Sequence, residues 1–193
     1  MNQLDERVRP TVIELIHGRR VTLPNDEARA LASWITMKMM VRDQYDPDTA
    51  ILSTAELRDF YITREPPSNI WIWAGFCESP LTANMCHRVP ATARSQSGES
   101  IKFGAATTWG LGRLIIFADF FPVAMPPPPE KTVKLWPLVE QDVVLNVPIM
   151  DPVEVDRLAR RYNPGGPSAV LHEFTFAPDL KSRRPGTTVK GSR

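Results

Sequence analysis

The sequence predicts one α+β domain, in which N-terminal helices pack on a central antiparallel β-meander and a short C-terminal helix follows. Residues 1–66 carry apolar side chains at helical spacing, and residues 67–129 contain only seven charged side chains among short apolar runs. A length of 193 residues is enough for one sizeable hydrophobic core. We therefore expect a single domain over residues 1–178, helical to residue 66 and mainly β over 67–150, with a short helix at 151–162.

Three helices are predicted in the first third of the chain. The first covers residues 4–16, where Pro10 is expected either to kink the helix or to open a second short one. The second covers residues 24–44, whose broad apolar face is typical of a core helix. The third opens at Ser53, because Ser-Thr-Ala-Glu matches a capping box, and it ends before Pro66.

The rest of the chain is predicted to be mainly β. Four apolar runs rich in β-branched and aromatic residues indicate strands at 69–77, 84–93, 101–108 and 113–121. Residues 132–138 and 143–149 are predicted as edge strands or extended segments. Asp151 followed by proline predicts a capped helix start, and residues 172–177 are a candidate last strand.

The apolar runs, the N-terminal residues and the cysteine content bear on the cellular compartment. No run of about 18 apolar residues is present, so no membrane span is expected. Residues 1–9 are charged and precede no apolar segment, which does not fit a secretory signal. With Cys77 and Cys86 as the only cysteines, we expect a cytoplasmic protein without a disulfide framework.

The charge is unevenly distributed along the chain. Residues 1–178 carry 18 Lys/Arg and 21 Asp/Glu, a net charge of −3, whereas residues 179–193 carry five bases and one acid, a net charge of +4. The body therefore lacks the basic excess that phosphate binding usually requires. We expect residues 179–193 to form a disordered basic tail. Its candidate nucleic-acid contacts are Lys181, Arg183, Arg184, Lys190 and Arg193.

No complete catalytic, cofactor or metal site is recognisable. Cys77, Cys86 and His87 come nearest to a metal cluster, but structural zinc takes four ligands, and two buried cysteines acting as small apolar residues are favoured. The Gly-x-Gly at 110–112 precedes a strand instead of a helix, which predicts a tight turn and no dinucleotide site. His172 and Glu173 are adjacent and would point to opposite faces of a strand. We assign no catalytic residue and expect no cofactor.

The most apolar strand is the candidate protein interface. Ile70 and Ile72 would face one way and Trp71 and Trp73 the other, so both faces are apolar. Either protein covers both faces or one of them is an interface. We expect one pair to be exposed and to bind a protein partner or a second copy of the chain. In the alternative, the proline-rich stretch 122–149 folds over that face.

The order of short motifs resembles the C-terminal region of uncharacterised bacterial and phage proteins described as HNH-endonuclease-like. The resemblance covers about residues 1–162 and rests on Asn2-Gln3-Leu4-Asp5, Ile16-His17-Gly18 followed by Val21-Thr22-Leu23, the Trp34 helix, Trp71-Ile72-Trp73, Gly112-Arg113-Leu114 and Leu135-Trp136-Pro137. In that family a nuclease module with two Cys-x-x-Cys pairs, a His and Asn-Asn-Gly-Trp precedes this region. No such position has a counterpart here, so the resemblance implies an accessory domain without its nuclease module.

These observations predict a non-catalytic accessory domain, encoded by a phage or mobile element, that acts through protein–protein contacts. The alternative is a nucleic-acid-binding accessory domain of a nuclease that contacts phosphates through its basic tail. An enzyme with an unrecognised site is the third interpretation left open.

Overall fold

The structure is a computed structural model that describes residues 3–45, 50, 52–78, 86–94, 100–121, 128–138 and 140–160. Its fold is α+β, as the sequence predicts. The elements in chain order are α1 (Gln3–Ile16), β1 (Val21–Leu23), α2 (Asn25–Tyr45), α3 (Thr54–Thr63), β2 (Ile70–Cys77), β3 (Cys86–Arg94), β4 (Ser100–Leu111), β5 (Leu114–Phe120), β6 (Val133–Trp136), β7 (Val143–Leu145), β8 (Ile149–Met150) and α4 (Pro152–Ala159).

The main sheet has six strands, five of them in the order β3-β4-β5-β2-β6, with β8 pairing in parallel with β2. The other pairings are antiparallel, as predicted. The predicted meander is correct only for β3 to β5, because β2 lies beside β5 and not beside β3. Pairing β2 with β5 places the two most apolar strands side by side in the middle of the sheet, where both faces are buried.

The strand register decides which side chains share a face of the sheet. Ile70, Ile72, Ile116 and Phe120 belong to the larger core, which they form with side chains of α1 and α2. The opposite face carries a smaller core, which is covered by Met150 and by α4. That core consists of Trp73, Cys77, Ile115, Phe117, Met150, Val155 and Leu158.

The predicted helix boundaries are confirmed for α1 to α3, whereas α4 ends at Ala159, before the predicted residue 162. Helix α1 continues through Pro10 as a single helix, so the alternative in which Pro10 opens a second short helix is wrong. The Ser53 hydroxyl accepts the Glu56 N–H at 3.2 Å and the Glu56 carboxylate accepts the Ser53 N–H at 2.8 Å, which completes the predicted capping box. Asp151 caps α4 by accepting the Glu154 N–H at 2.8 Å. No described helix has both the length and the apolar character needed to cross a membrane.

The end of α1 is attached to the turn between β4 and β5. Gly18 ends the helix with a φ of +72°, and Gly112 opens the two-residue turn with a φ of +58°. The Arg113 N–H donates to the Ile16 carbonyl at 2.9 Å. A Cβ at Gly112 would lie 2.5 Å from that carbonyl oxygen, so only glycine fits there. The Gly-x-Gly is therefore a tight turn, as predicted.

Strand β1 was not predicted, because three residues carry too short an alternation to be recognised. It pairs with β7 in a separate two-stranded sheet, with Thr22 opposite Val144. Leu23 points into the core and Thr22 points to solvent. The candidate last strand at 172–177 and the tail at 179–193 lie outside the described residues.

Candidate functional site

The strand predicted as an interface lies in the centre of the sheet. Ile70 and Ile72 are 0% exposed and Trp73 is 2% exposed, while Trp71 is partly buried against the smaller core. The expectation that one pair faces solvent is therefore wrong for Ile70, Ile72 and Trp73. Each face of β2 is covered by a different part of the chain, α1 and α2 on one side and α4 on the other.

The Trp73 face of β2 is covered mainly by residues that follow the proline-rich stretch 122–149, which the alternative prediction places there. Met150 and α4 supply most of the cover, and both follow residues 122–149. The earlier stretch contributes at Gly75, where an added Cβ would lie 2.6 Å from Met150 Cε and 3.0 Å from the Lys131 carbonyl oxygen. The absence of charged residues in β2 therefore reflects its central position in the sheet.

The three candidate metal ligands do not come together. Cys77 lies on β2 and Cys86 on β3, three strand spacings apart, or about 14 Å. His87 points to the opposite face from Cys86 because neighbouring side chains in a strand alternate. Cys77 is buried as expected, whereas Cys86 is exposed and accepts a hydrogen bond from the Trp109 indole. Among the described residues, no three His, Cys, Asp or Glu side chains could share a metal ion.

The basic side chains proposed to contact nucleic acid have no described position. Lys181, Arg183, Arg184, Lys190 and Arg193 all lie beyond residue 160, as do His172 and Glu173. These predictions stay predictions.

An open groove of about 430 Å³ lies between α1 and β1. Its walls are Pro10, Thr11, Ile13 and Glu14 of α1, Val21, Thr22 and Leu23 of β1, and Glu27 of α2. Successive strand residues point to opposite faces, so a groove lined by all three residues of β1 runs along an edge of the strand. Strand β7 occupies the other edge. The edge of β1 in the groove has no strand partner among the described residues.

The groove combines an apolar contact surface with carboxylates. Ile13 is 41% exposed and supplies the apolar surface. Glu14 accepts hydrogen bonds of 2.8 and 2.9 Å from Arg19 Nη1, and Glu27 accepts one of 3.5 Å from the Thr11 hydroxyl. The Glu14–Arg19 pair is exposed and therefore weak, so another cation can replace Arg19 at little cost.

A second polar feature, also missed in the sequence, lies under α2 at the edge of the main sheet. Arg88 of β3 forms an ion pair through Nη1 with Asp43 of α2, and the two side chains are 2% and 7% exposed. Arg88 Nε and Nη2 have no hydrogen-bond partner among the described residues. The signal available in the sequence was an arginine inside a segment predicted to be a strand. Its partner is 45 residues away and gives no local signal.

Comparison of the chain with protein-family models, with curated proteins and with solved structures finds no match.

Proposed function

We propose that this chain is a binding domain that acts through protein–protein contacts, and that it holds an extended segment of its partner in the groove between α1 and β1. The unpaired edge of β1 carries the proposal. An exposed strand edge is a template for another strand. A partner strand added beside β1 would give the small sheet a third strand.

The side chains of the groove favour a particular kind of segment. An added strand presents alternate side chains to opposite sides, so it would meet Ile13 with apolar residues and Glu14 and Glu27 with basic ones. We therefore expect a partner segment in which apolar and basic residues alternate. The resemblance to regions downstream of HNH nuclease modules supports placing such a partner in a nuclease assembly.

The test uses a labelled peptide that alternates valine and lysine, with fluorescence anisotropy as the measurement. Ile13→Ser should weaken binding about three- to eightfold, because Ile13 is 41% exposed and only that fraction of a full side-chain burial of about 1.5–3 kcal/mol is gained on binding. Glu27→Gln should weaken it about twofold, as expected for an exposed charge pair. Ile149→Ser is the matched control, since Ile149 is also an exposed isoleucine, at 52%, but lies on β8 outside the groove. No binding by the wild type, or equal loss in both isoleucine variants, would exclude the groove.

The alternative function is nucleic-acid binding through the tail, which is favoured by the net charge of +4 over residues 179–193. Five bases limit the log–log salt dependence to a slope of about −4 to −5. Removing residues 180–193 should abolish binding to duplex DNA in a filter or anisotropy assay and leave peptide binding intact. Unchanged DNA affinity in the shortened chain would place the DNA site elsewhere.

A further inference from the structure

The two unpartnered nitrogens of Arg88 belong to one edge of its guanidinium group. Asp43 occupies Nη1, which leaves Nε and Nη2 without partners among the described residues. The N–H bonds of Nε and Nη2 run parallel, and together they form the fork with which arginine binds both oxygens of a carboxylate. Asp43 thus fixes the guanidinium and leaves this fork available.

Thr107 adds a third polar group at the same place. It lies directly opposite Arg88 in the register of β3 and β4, so the two side chains share the face that α2 covers. Thr107 is 1% exposed, and its hydroxyl has no hydrogen-bond partner among the described residues. Buried polar atoms are nearly always hydrogen-bonded in native proteins, because leaving each one unsatisfied costs about 1–3 kcal/mol. Three such atoms on paired residues of one buried sheet face point to a bound group that supplies acceptors.

We propose that Arg88, Asp43 and Thr107, named here the Arg88 cluster, bind one carboxylate group. Arg88 donates two parallel hydrogen bonds to its oxygens and Thr107 donates a third. The charges of Arg88 and Asp43 cancel, so the ligand adds its own charge to a neutral buried pair. A carboxylate adds one negative charge and inorganic phosphate adds between one and two at neutral pH, so the cluster favours the carboxylate.

The direct test follows the Arg88 Nε–H resonance in ¹⁵N-labelled wild-type protein during titration with sodium acetate. Saturable binding should move this resonance or replace it by a second one. Sodium phosphate, the second arm, should bind more weakly, and sodium chloride controls for ionic strength. An Arg88 resonance that responds to none of these salts, or equally to all, overturns the proposal. Tighter binding of phosphate than of acetate overturns the carboxylate assignment.

Two threonine variants test the composition of the cluster without removing a charge. Thr107→Val should weaken acetate binding about tenfold, the usual effect of losing one hydrogen bond to a charged group. Thr108→Val is the matched control: Thr108 is also 1% exposed and its hydroxyl also has no partner among the described residues, but it points to the other face of the sheet. Equal effects of the two variants, or none from Thr107→Val, would contradict the assignment. Arg88→Lys, which keeps the charge but loses the fork, should abolish binding.

Discussion

Strand β2 lies at the centre of the sheet and strand β3 at its described edge, and the two strands place chemically different side chains against the helices. The side chains of β2 are apolar on both faces and belong to the two cores. Strand β3 places Arg88 under α2, where it pairs with Asp43. The central strand therefore contributes stability through packing. The edge strand and its neighbour β4 hold most of the buried polar atoms without a hydrogen-bond partner among the described residues.

This difference shows how an apolar strand in a sequence is best interpreted. Ile70 to Trp73 look like an interface because neither face alternates with polar residues, yet a central strand with helices on both faces has the same pattern. The groove beside β1 and the Arg88 cluster carry more charge and less apolar surface than β2. Both proposed binding features lie at the edges of sheets, whereas the most apolar strand is buried in the two cores.

The largest effect is expected from Trp73→Ala at the centre. Because Trp73 is 2% exposed within the smaller core, its truncation should lower the free energy of unfolding by about 4 kcal/mol. Chemical denaturation measures this loss, and sedimentation should show the same oligomeric state for the variant as for the wild type. A Trp73→Ala variant of normal stability with a changed oligomeric state would contradict this, and β2 would then be an interface strand.

The sequence predicts the elements of this fold better than their arrangement. The capping box at Ser53 and the Asp151 cap are local signals, and both form as predicted. The place of β2 beside β5 depends on pairing Ile70 with Phe120, and nothing near either residue specifies the other. The Arg88–Asp43 pair is missed for the same reason. Local periodicity fixes which residues point inward, whereas long-range pairing depends on the packing of the whole core.

At the edge strand β3 we expect a smaller loss in the free energy of unfolding, caused by an unbalanced charge. Arg88→Met removes the cation beside a carboxylate that is 7% exposed, so the free energy of unfolding should fall by about 3 kcal/mol. Most of that loss comes from leaving the Asp43 charge buried without Arg88. The double variant Arg88→Met/Asp43→Asn should therefore recover more than half of it, measured by denaturation in the same buffer. A double variant less stable than Arg88→Met would show that the ion pair itself supplies the stability.

The smallest effect is expected at another ion pair of α2, between Lys38 and Asp5, which is far less buried than the Arg88–Asp43 pair. Lys38 Nζ lies 3.0 Å from Asp5 Oδ1, and the Trp34 indole donates to the same oxygen at 2.7 Å, which together lower the pKa of Asp5 below its usual 3.8. Asp5→Asn keeps an acceptor for Trp34 and loses only the charge. Because both side chains are about one-third exposed, it should cost about 0.5 kcal/mol at neutral pH.

The pH dependence of this difference identifies its cause. A lowered pKa in the folded state means that the charged Asp5 stabilises the fold above pH 3.8, and that this contribution is lost as the pH falls through the lowered value. Wild type and Asp5→Asn should therefore differ in urea denaturation at pH 6 and converge well below pH 3.8. Added salt should reduce the difference at pH 6, because exposed pairs are screened. A difference that persists unchanged in acid would assign the effect to packing, and the contrast between the buried Arg88 pair and this exposed one would then not be electrostatic.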